Sequence, residues 1–523
     1  MSFTCLRIVL FLSACSIAAN AQNSHPRLQL IGHLPYDSAS LAGCLGYIDS
    51  AGVEYALVGA STGLSIVDLS DPTQPVERFY VPMPPNNWRE LRAWNGFLYV
   101  GTEASGAGIF IVDLRALPDT IVWKQWFGDD AYADQVQRSH TIQTADGYLY
   151  IFGSGGPSNG GALICSLDDP WNPRIEGLYA AHYVHDGHIR GDTLWASEIY
   201  AGQFAVIDIS DRASPLVMAT RETPARFNHN SELSPDGRTL FTTDEVLNAP
   251  LASFDVTQID DIPLLDLYYP SIEPSRMVHN VRVKGLHLVC PSYGGQLSIV
   301  DASEPDNMIE TAIVKVGSSL VWDADPYLPS GIVFATAKNE GLFVFQPVYS
   351  LGARVEGKVR DAVTGAPIAN AVVRIAGALT EKYSRQDGVY KTGAPATGEY
   401  DLLFTAMGYD TLVIQGVALV EAQTLILDAW LSRLSISAPH APLTAPVRSI
   451  SPNPASDVIW IASEKNEQGV WARVSDAQGR RVLSVQMNLP GSLSLPHALP
   501  PGPYALWLAD AAGRVQIFSF IKI

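Results

Sequence analysis

A ten-residue phrase of the form Gly-apolar-x-Ile-Val-Asp-apolar-Ser-Asp-Pro recurs along this chain, and a recurrence constrains the fold more than any single residue can. The phrase is complete at Gly63-Leu-Ser-Ile-Val-Asp68-Leu-Ser-Asp-Pro72 and returns with small changes from Gly108, Gly202 and Gly295. Weaker copies begin at Ala162, Leu251 and Gly341. Anchored on residues 68, 113, 166, 208, 255 and 301, successive copies are 45, 53, 42, 47 and 46 residues apart.

Such a period is the length of one four-stranded propeller blade. Each unit also repeats its internal order. A short apolar-aromatic run after a turn precedes the phrase, as in Gly96-Phe-Leu-Tyr-Val100 and Gly147-Tyr-Leu-Tyr-Ile151, and an outer run such as Val76-Glu-Arg-Phe-Tyr80 follows it. β-branched and aromatic residues dominate these runs, which suits buried, twisted sheets. The spacing predicts seven units over residues 27–347. The seventh stops after its third strand, whereas Arg27-Leu-Gln-Leu-Ile-Gly32 is an unassigned strand ahead of the first. Pairing the two would remove two exposed sheet edges at once. The expected fold is therefore all-β: a seven-bladed β-propeller closed by the N-terminal strand, followed by two small β-sandwich domains.

The phrase Leu-Ser-Ile-Val-Asp resembles the LVIVD repeat, and residues 27–347 are similar to the propeller of the choice-of-anchor B family, whose members carry varied C-terminal attachment devices. From Arg354 the texture changes to Val355-Glu-Gly-Lys-Val-Arg-Asp361, Thr364-Gly-Ala-Pro and Gly398-Glu-Tyr-Asp-Leu-Leu-Phe404. Residues 353–432 resemble the carboxypeptidase regulatory-like domain, a transthyretin-like sandwich that implies a spacer or binding role and brings no zinc site of its own. Residues 433–447 are rich in Ala, Pro and Ser and read as an extended tether. The order Ser451-Pro-Asn-Pro-Ala, Asp476-Ala-Gln-Gly-Arg480, Gly502-Pro-Tyr504 and Lys522 resembles the C-terminal sorting domain of the type IX secretion system. That resemblance, over 448–523, implies the secretion machinery as a partner and a secreted or outer-membrane-attached destination.

The N-terminus agrees with export. Arg7, the apolar run Ile8–Ala19 and the small-x-small site Ala19-Asn-Ala21 read as a signal peptide over 1–21. Leu12-Ser-Ala-Cys15 also has lipobox character, which would make Cys15 a lipidated first residue, although it shortens the apolar core. No later run is long enough for a transmembrane helix. With 34 basic against 53 acidic side chains, the formal charge of -19 disfavours nucleic acid as a partner and favours cations. Beyond the leader only Cys44, Cys165 and Cys290 remain, without CxxC spacing, and read as buried small hydrophobes.

The predicted first strands are unusually rich in His at one position: His140, His185 (with His188 three residues on), His229 and His279. The seventh unit offers Trp322-Asp323 there, and the ends of second strands carry Glu103, Glu198 and Glu245. In a propeller these two kinds of position share one rim of the channel. Two readings stay open. The residues could hydrogen-bond neighbouring blades and lock the ring. Alternatively they could bind a ligand or a divalent metal, with His140, His185, His229 and His279 as ligands. The expected function is a surface-displayed binding scaffold whose ligand is unknown; the alternative is a metal-dependent hydrolase using the rim His and Glu residues.

Overall fold

Two kinds of local signal shape the repeat unit. The first is the hairpin turn. Asn95-Gly96 and Asp146-Gly147 both take positive φ (51° and 82°, 50° and 81°) and join Trp94 to Phe97 and Ala145 to Tyr148 as directly paired residues. Two consecutive left-handed residues make the turn whose twist matches that of the flanking strands. The second is the Asp that ends the repeat phrase. Asp68, Asp113, Asp208, Asp255 and Asp301 each accept the backbone N–H two residues on through a side-chain oxygen, at 2.7–3.0 Å. The second Asp of the phrase repeats the device, as Asp71 does with Thr73 and Asp211 with Ala213. The Ile-Val-Asp-x-Ser-Asp string is thus a buried strand followed by two Asx turns.

A computed structural model describes residues 25–272, 277–317, 320–376, 381–434, 447–476, 481–496, 499–510 and 515–523. The signal-peptide assignment over 1–21, and most of the tether over 433–447, lie outside these residues. Among the described residues the chain is all-β apart from one 3-10 turn, Ile199–Ala201, and no helix is long and apolar enough to cross a membrane.

Residues 28–347 form seven antiparallel sheets, six of four strands and one of five. Their first strands are Leu41–Ile48, Arg89–Trp94, Thr141–Ala145, Asp186–Arg190, Asn228–Leu233, the split pair Met277–Val278 and Arg282–Lys284, and Val321–Asp325. Each of the first five contacts the first strand of the next sheet. His287–Tyr293 of the sixth sheet touches Val321–Asp325, which in turn contacts Leu41–Ile48. First, second and third strands are largely buried, whereas fourth strands such as Val76–Pro82 and Leu216–Glu222 are mostly exposed. The seventh sheet takes its fourth strand from the N-terminus: Leu28–Leu34 lies antiparallel to Gly341–Pro347, with Leu28 opposite Pro347 and Leu34 opposite Leu342. Separate apolar clusters fill the spaces between neighbouring sheets, one of which joins Val58 and Val67 to Phe334 and Val344. Cys44, Cys165 and Cys290 are buried, free thiols in these layers.

Residues 353–431 form two sheets around a second core that includes Val355, Val373, Tyr390 and Phe404. This unit is fastened to the fifth and sixth sheets. Arg354 and Asp301, 3% and 0% exposed, pair at 2.7 Å, and Asp301 also accepts the Gly352 N–H at 2.7 Å. Lys382 reaches Asp266, Lys391 reaches Asp306, and Ile309 lies against Gly352 and Gly393. Residues 447–523 hold a third core, around Ile459, Val474, Leu506 and Phe520, between sheets of three and four strands.

Candidate functional site

Where the first strands of the seven sheets converge, their opening residues floor a cavity of about 260 Å3. His140, His185, His229 and His279, from four consecutive sheets, pack ring against ring with centroids 4.0, 4.3 and 4.3 Å apart. Trp322 of the seventh sheet follows at 5.0 Å from His279, and Trp88 of the second lies 6.2 Å beyond. The first sheet contributes no ring. At Gly43 an added Cβ would lie 2.7 Å from the Arg89 carbonyl and 3.0 Å from both Glu90 carboxylate oxygens, so glycine leaves the room that the Glu90 side chain fills.

The arc is made by a repeated hydrogen bond. His185 Nδ1 donates to the His229 carbonyl at 2.9 Å, and His279 Nδ1 donates to the Trp322 carbonyl at 2.6 Å. His229 Nδ1 is turned to the His279 carbonyl but closes no hydrogen bond and is buried. A carbonyl only accepts, so Nδ1 of His185 and His279 carries the proton and Nε2 keeps its lone pair. One residue further along, the same neighbours are joined again: Asn230 Nδ2 donates to Asp186 at 2.6 Å, and the Val281 N–H donates to Asn230 at 2.9 Å. His185 and His279 therefore join adjacent sheets through Nδ1, and among the described residues neither makes a hydrogen bond to protein through Nε2.

Carboxylates and aromatics line the walls. Glu103 pairs with His140 Nδ1 at 2.6 Å, and Tyr293 donates to Glu245 at 2.9 Å. Among the described residues, one group of three ligating side chains stands within reach of a single ion. It is His185, His229 and Glu245, whose ligand atoms all lie within 4.8 Å of one another. Tyr183, Tyr200 and Phe227 form the mouth. Burial holds His185 and His229 well below the ordinary imidazole pKa and lowers His279, so these rings are neutral at neutral pH. Burial, with Asp323 nearby, pushes the Glu90 carboxyl up to about 7, while the bond from His140 lowers Glu103.

Of the nine side chains singled out in the sequence, six meet here: His140, His185, His229, His279, Glu103 and Glu245. The other three do not. His188 follows His185 by three residues, about 10 Å along an extended strand, and lines a second cavity of about 250 Å3 with Arg92, Glu232, Arg282 and Asp325. Glu198 is fully buried behind its sheet and accepts hydrogen bonds from Tyr179 and Gln203. Asp323, also fully buried, is held by Arg282 through contacts of 2.8, 2.8 and 3.1 Å. The second cavity has no counterpart among the residues singled out in the sequence except His188. Its signal is the row of ionisable residues at inner-strand positions, Arg92, His188, Glu232, Arg282 and Asp325, where a buried strand would be apolar. Tyr183, Tyr200 and Phe227 lie outside the regular strands and carry no periodic signal.

Comparison with known proteins agrees with the repeat and with the domain that follows it. Residues 53–82 and 199–223 match the LVIVD repeat, covering strands of the first and fourth sheets. Residues 354–432 match the carboxypeptidase regulatory-like domain. No curated protein matches the chain. The chain thus carries LVIVD repeats, in an all-β array of antiparallel sheets, followed by a carboxypeptidase regulatory-like domain.

Proposed function

We propose that residues 27–347 are a closed seven-bladed β-propeller of an exported binding protein, and that its histidine-floored cavity captures a ligand with a positively charged head. The observation that carries this reading is the convergence of side chains from six sheets on one small cavity with acidic and aromatic walls. The contacts running from each sheet to the next, and from the seventh back to the first, support the ring. The N-terminal strand in the seventh sheet removes the edges a propeller must hide. Glu103, Glu245 and Asp186 supply negative charge, and Trp88, Tyr183 and Tyr200 supply π faces, a combination that attracts organic cations. Its volume suits a side-chain-sized group. The regulatory-like domain, fixed by the buried Arg354–Asp301 pair, serves as a rigid spacer. Residues 448–523 serve as the type IX sorting domain after Sec export, which places the propeller at the cell surface or in the medium.

Tryptophan fluorescence of the mature chain, titrated with spermidine and with a lysine-rich peptide, tests the cavity. Saturable binding that weakens with salt and is lost in Glu103→Gln/Glu245→Gln is expected. Equal response to an acidic peptide, or none to either cation, would overturn it. Deleting 448–523 is expected to leave the protein in the periplasm, and normal secretion of that truncation would refute the sorting role.

A further inference from the structure

We propose that His185, His229 and Glu245 bind one divalent transition-metal ion in the floor of the first cavity, an inference that rests on that cavity being a binding site. The three come from two adjacent sheets: His185 and His229 open neighbouring first strands, and Glu245 follows the second strand Thr239–Asp244 of the fifth. Two imidazoles and one carboxylate form a donor set suited to zinc and its neighbours, and they leave further coordination positions open. Their ligand atoms lie within 4.8 Å of one another. Bonds of about 2.1 Å in a tetrahedral arrangement need about 3.4 Å between ligands, so each side chain moves inward by under about 1 Å.

The supporting groups are those a metal site uses. The His185 ring is oriented by its Nδ1–H bond to the His229 carbonyl, which leaves the other nitrogen for the ion. Glu245 is oriented by the Tyr293 hydroxyl. His229 is 5% exposed, and with its Nδ1 turned to the His279 carbonyl its Nε2 is the nitrogen left for the ion. Locking adjacent sheets explains the Nδ1 bonds. It does not explain why a carboxylate stands within ligating distance of two imidazoles. His140 and His279, packed at a tilt on either side, hold the pair in place.

The test uses the mature full-length chain, stripped with chelator and titrated calorimetrically with Zn2+, with Co2+ absorption as the spectroscopic probe. One ion per chain is expected, with visible Co2+ bands of a low-coordinate site bearing nitrogen ligands. Glu245→Gln is expected to weaken Zn2+ binding at least tenfold, Tyr293→Phe about tenfold through loss of the supporting bond, and His185→Asn/His229→Asn to abolish it. His188→Gln, in the other cavity, serves as a control that leaves it unchanged. Absence of a stoichiometric Zn2+ isotherm and of Co2+ bands in the wild-type chain would overturn the proposal, with no dependence on how the variants fold. Binding insensitive to Glu245→Gln and to the double variant would do so too. Spermidine binding without Zn2+ binding would remove the metal and keep the cavity, whereas Zn2+ binding without spermidine binding would keep the metal and remove the organic-cation reading.

Discussion

Arg282 and Asp323 join the sixth sheet to the seventh beneath the histidine arc, and replacing either tests whether these two sheets are held together by buried polar bonds. Asp323 is fully buried and Arg282 is 8% exposed at its side chain. Without Arg282, as in Arg282→Met, Asp323 keeps long contacts to Asn280 Nδ2 at 3.3 Å and the Cys44 N–H at 3.4 Å, the Ala324 N–H and the more distant Arg92 charge, but no paired cation. Leaving one half of a buried pair costs about 3–5 kcal/mol. Asp323→Asn is expected to cost less, about 2–4 kcal/mol, because a second carboxylate stands near the abandoned guanidinium. Glu232 lies 3.9 Å from Arg282, and burial has pushed its carboxyl up to about 7. Ionising fully on losing its competitor, Glu232 would recover about 1 kcal/mol, the worth of one pKa unit. The double variant Arg282→Met/Asp323→Leu removes both charges and is expected within about 1–2 kcal/mol of wild type, a coupling of at least about 2 kcal/mol. Urea unfolding followed by near-ultraviolet circular dichroism of the four proteins measures it. A double variant that costs the sum of the two singles would refute the reasoning.

Two further outcomes follow from buried charge. Burial lowers His185, His229 and His279 below the ordinary 6.5 and takes His188 to about 4, so their contribution to stability is present above pH 6.5 and lost as pH falls through the unfolded value. Glu90 and Glu232, raised from 4.5 to about 7, act oppositely, losing stability as pH rises through that window. Burial also raises Asp325, so four imidazoles oppose three carboxyls, and the unfolding free energy from urea melts is expected to fall from pH 6.5 to 5, on the order of 1–2 kcal/mol per pH unit; a flat or rising profile would contradict this. Arg354→Met leaves Asp301 buried without its cation, and is expected to free the regulatory-like domain. Hydrogen exchange would then accelerate in Ile309–Lys315 and Val389–Ala394 while the first sheet stays protected, whereas unchanged exchange would mean that the surface ion pairs suffice.

Much of this architecture was legible because the repeat phrase encodes two physical events, a buried strand and the Asx turns that end it. The histidines were legible for a related reason: residues at one register of equivalent strands must meet where those strands converge. Legibility stopped where depth along the converging first strands decides. Three residues separate His185 from His188, yet they line different cavities. Glu198 is the last residue of its second strand and Glu245 the first after its own, but Glu198 is taken by Tyr179 and Gln203 while Glu245 faces the histidines. Nothing in the linear pattern distinguishes these fates, because they depend on which neighbouring side chain gets there first. The aromatic mouth belongs to loops, whose course follows from the sheets they cross and carries no period.

The proposed closed propeller depends on Leu28–Leu34 completing the seventh sheet, and one cross-link measures that pairing. Gln29 and Gln346 face each other as paired residues, both exposed, and the native cysteines are buried. Paired residues of antiparallel strands lie about 4.5–5.5 Å apart at Cα, within disulfide range. In Gln29→Cys/Gln346→Cys, mild oxidation of the folded chain is expected to close the bond, so that fragments from a protease nick between these positions stay joined until reduced. If both thiols instead remained free to react with a maleimide in the folded protein, the seventh sheet would lack its N-terminal strand and the ring would be open.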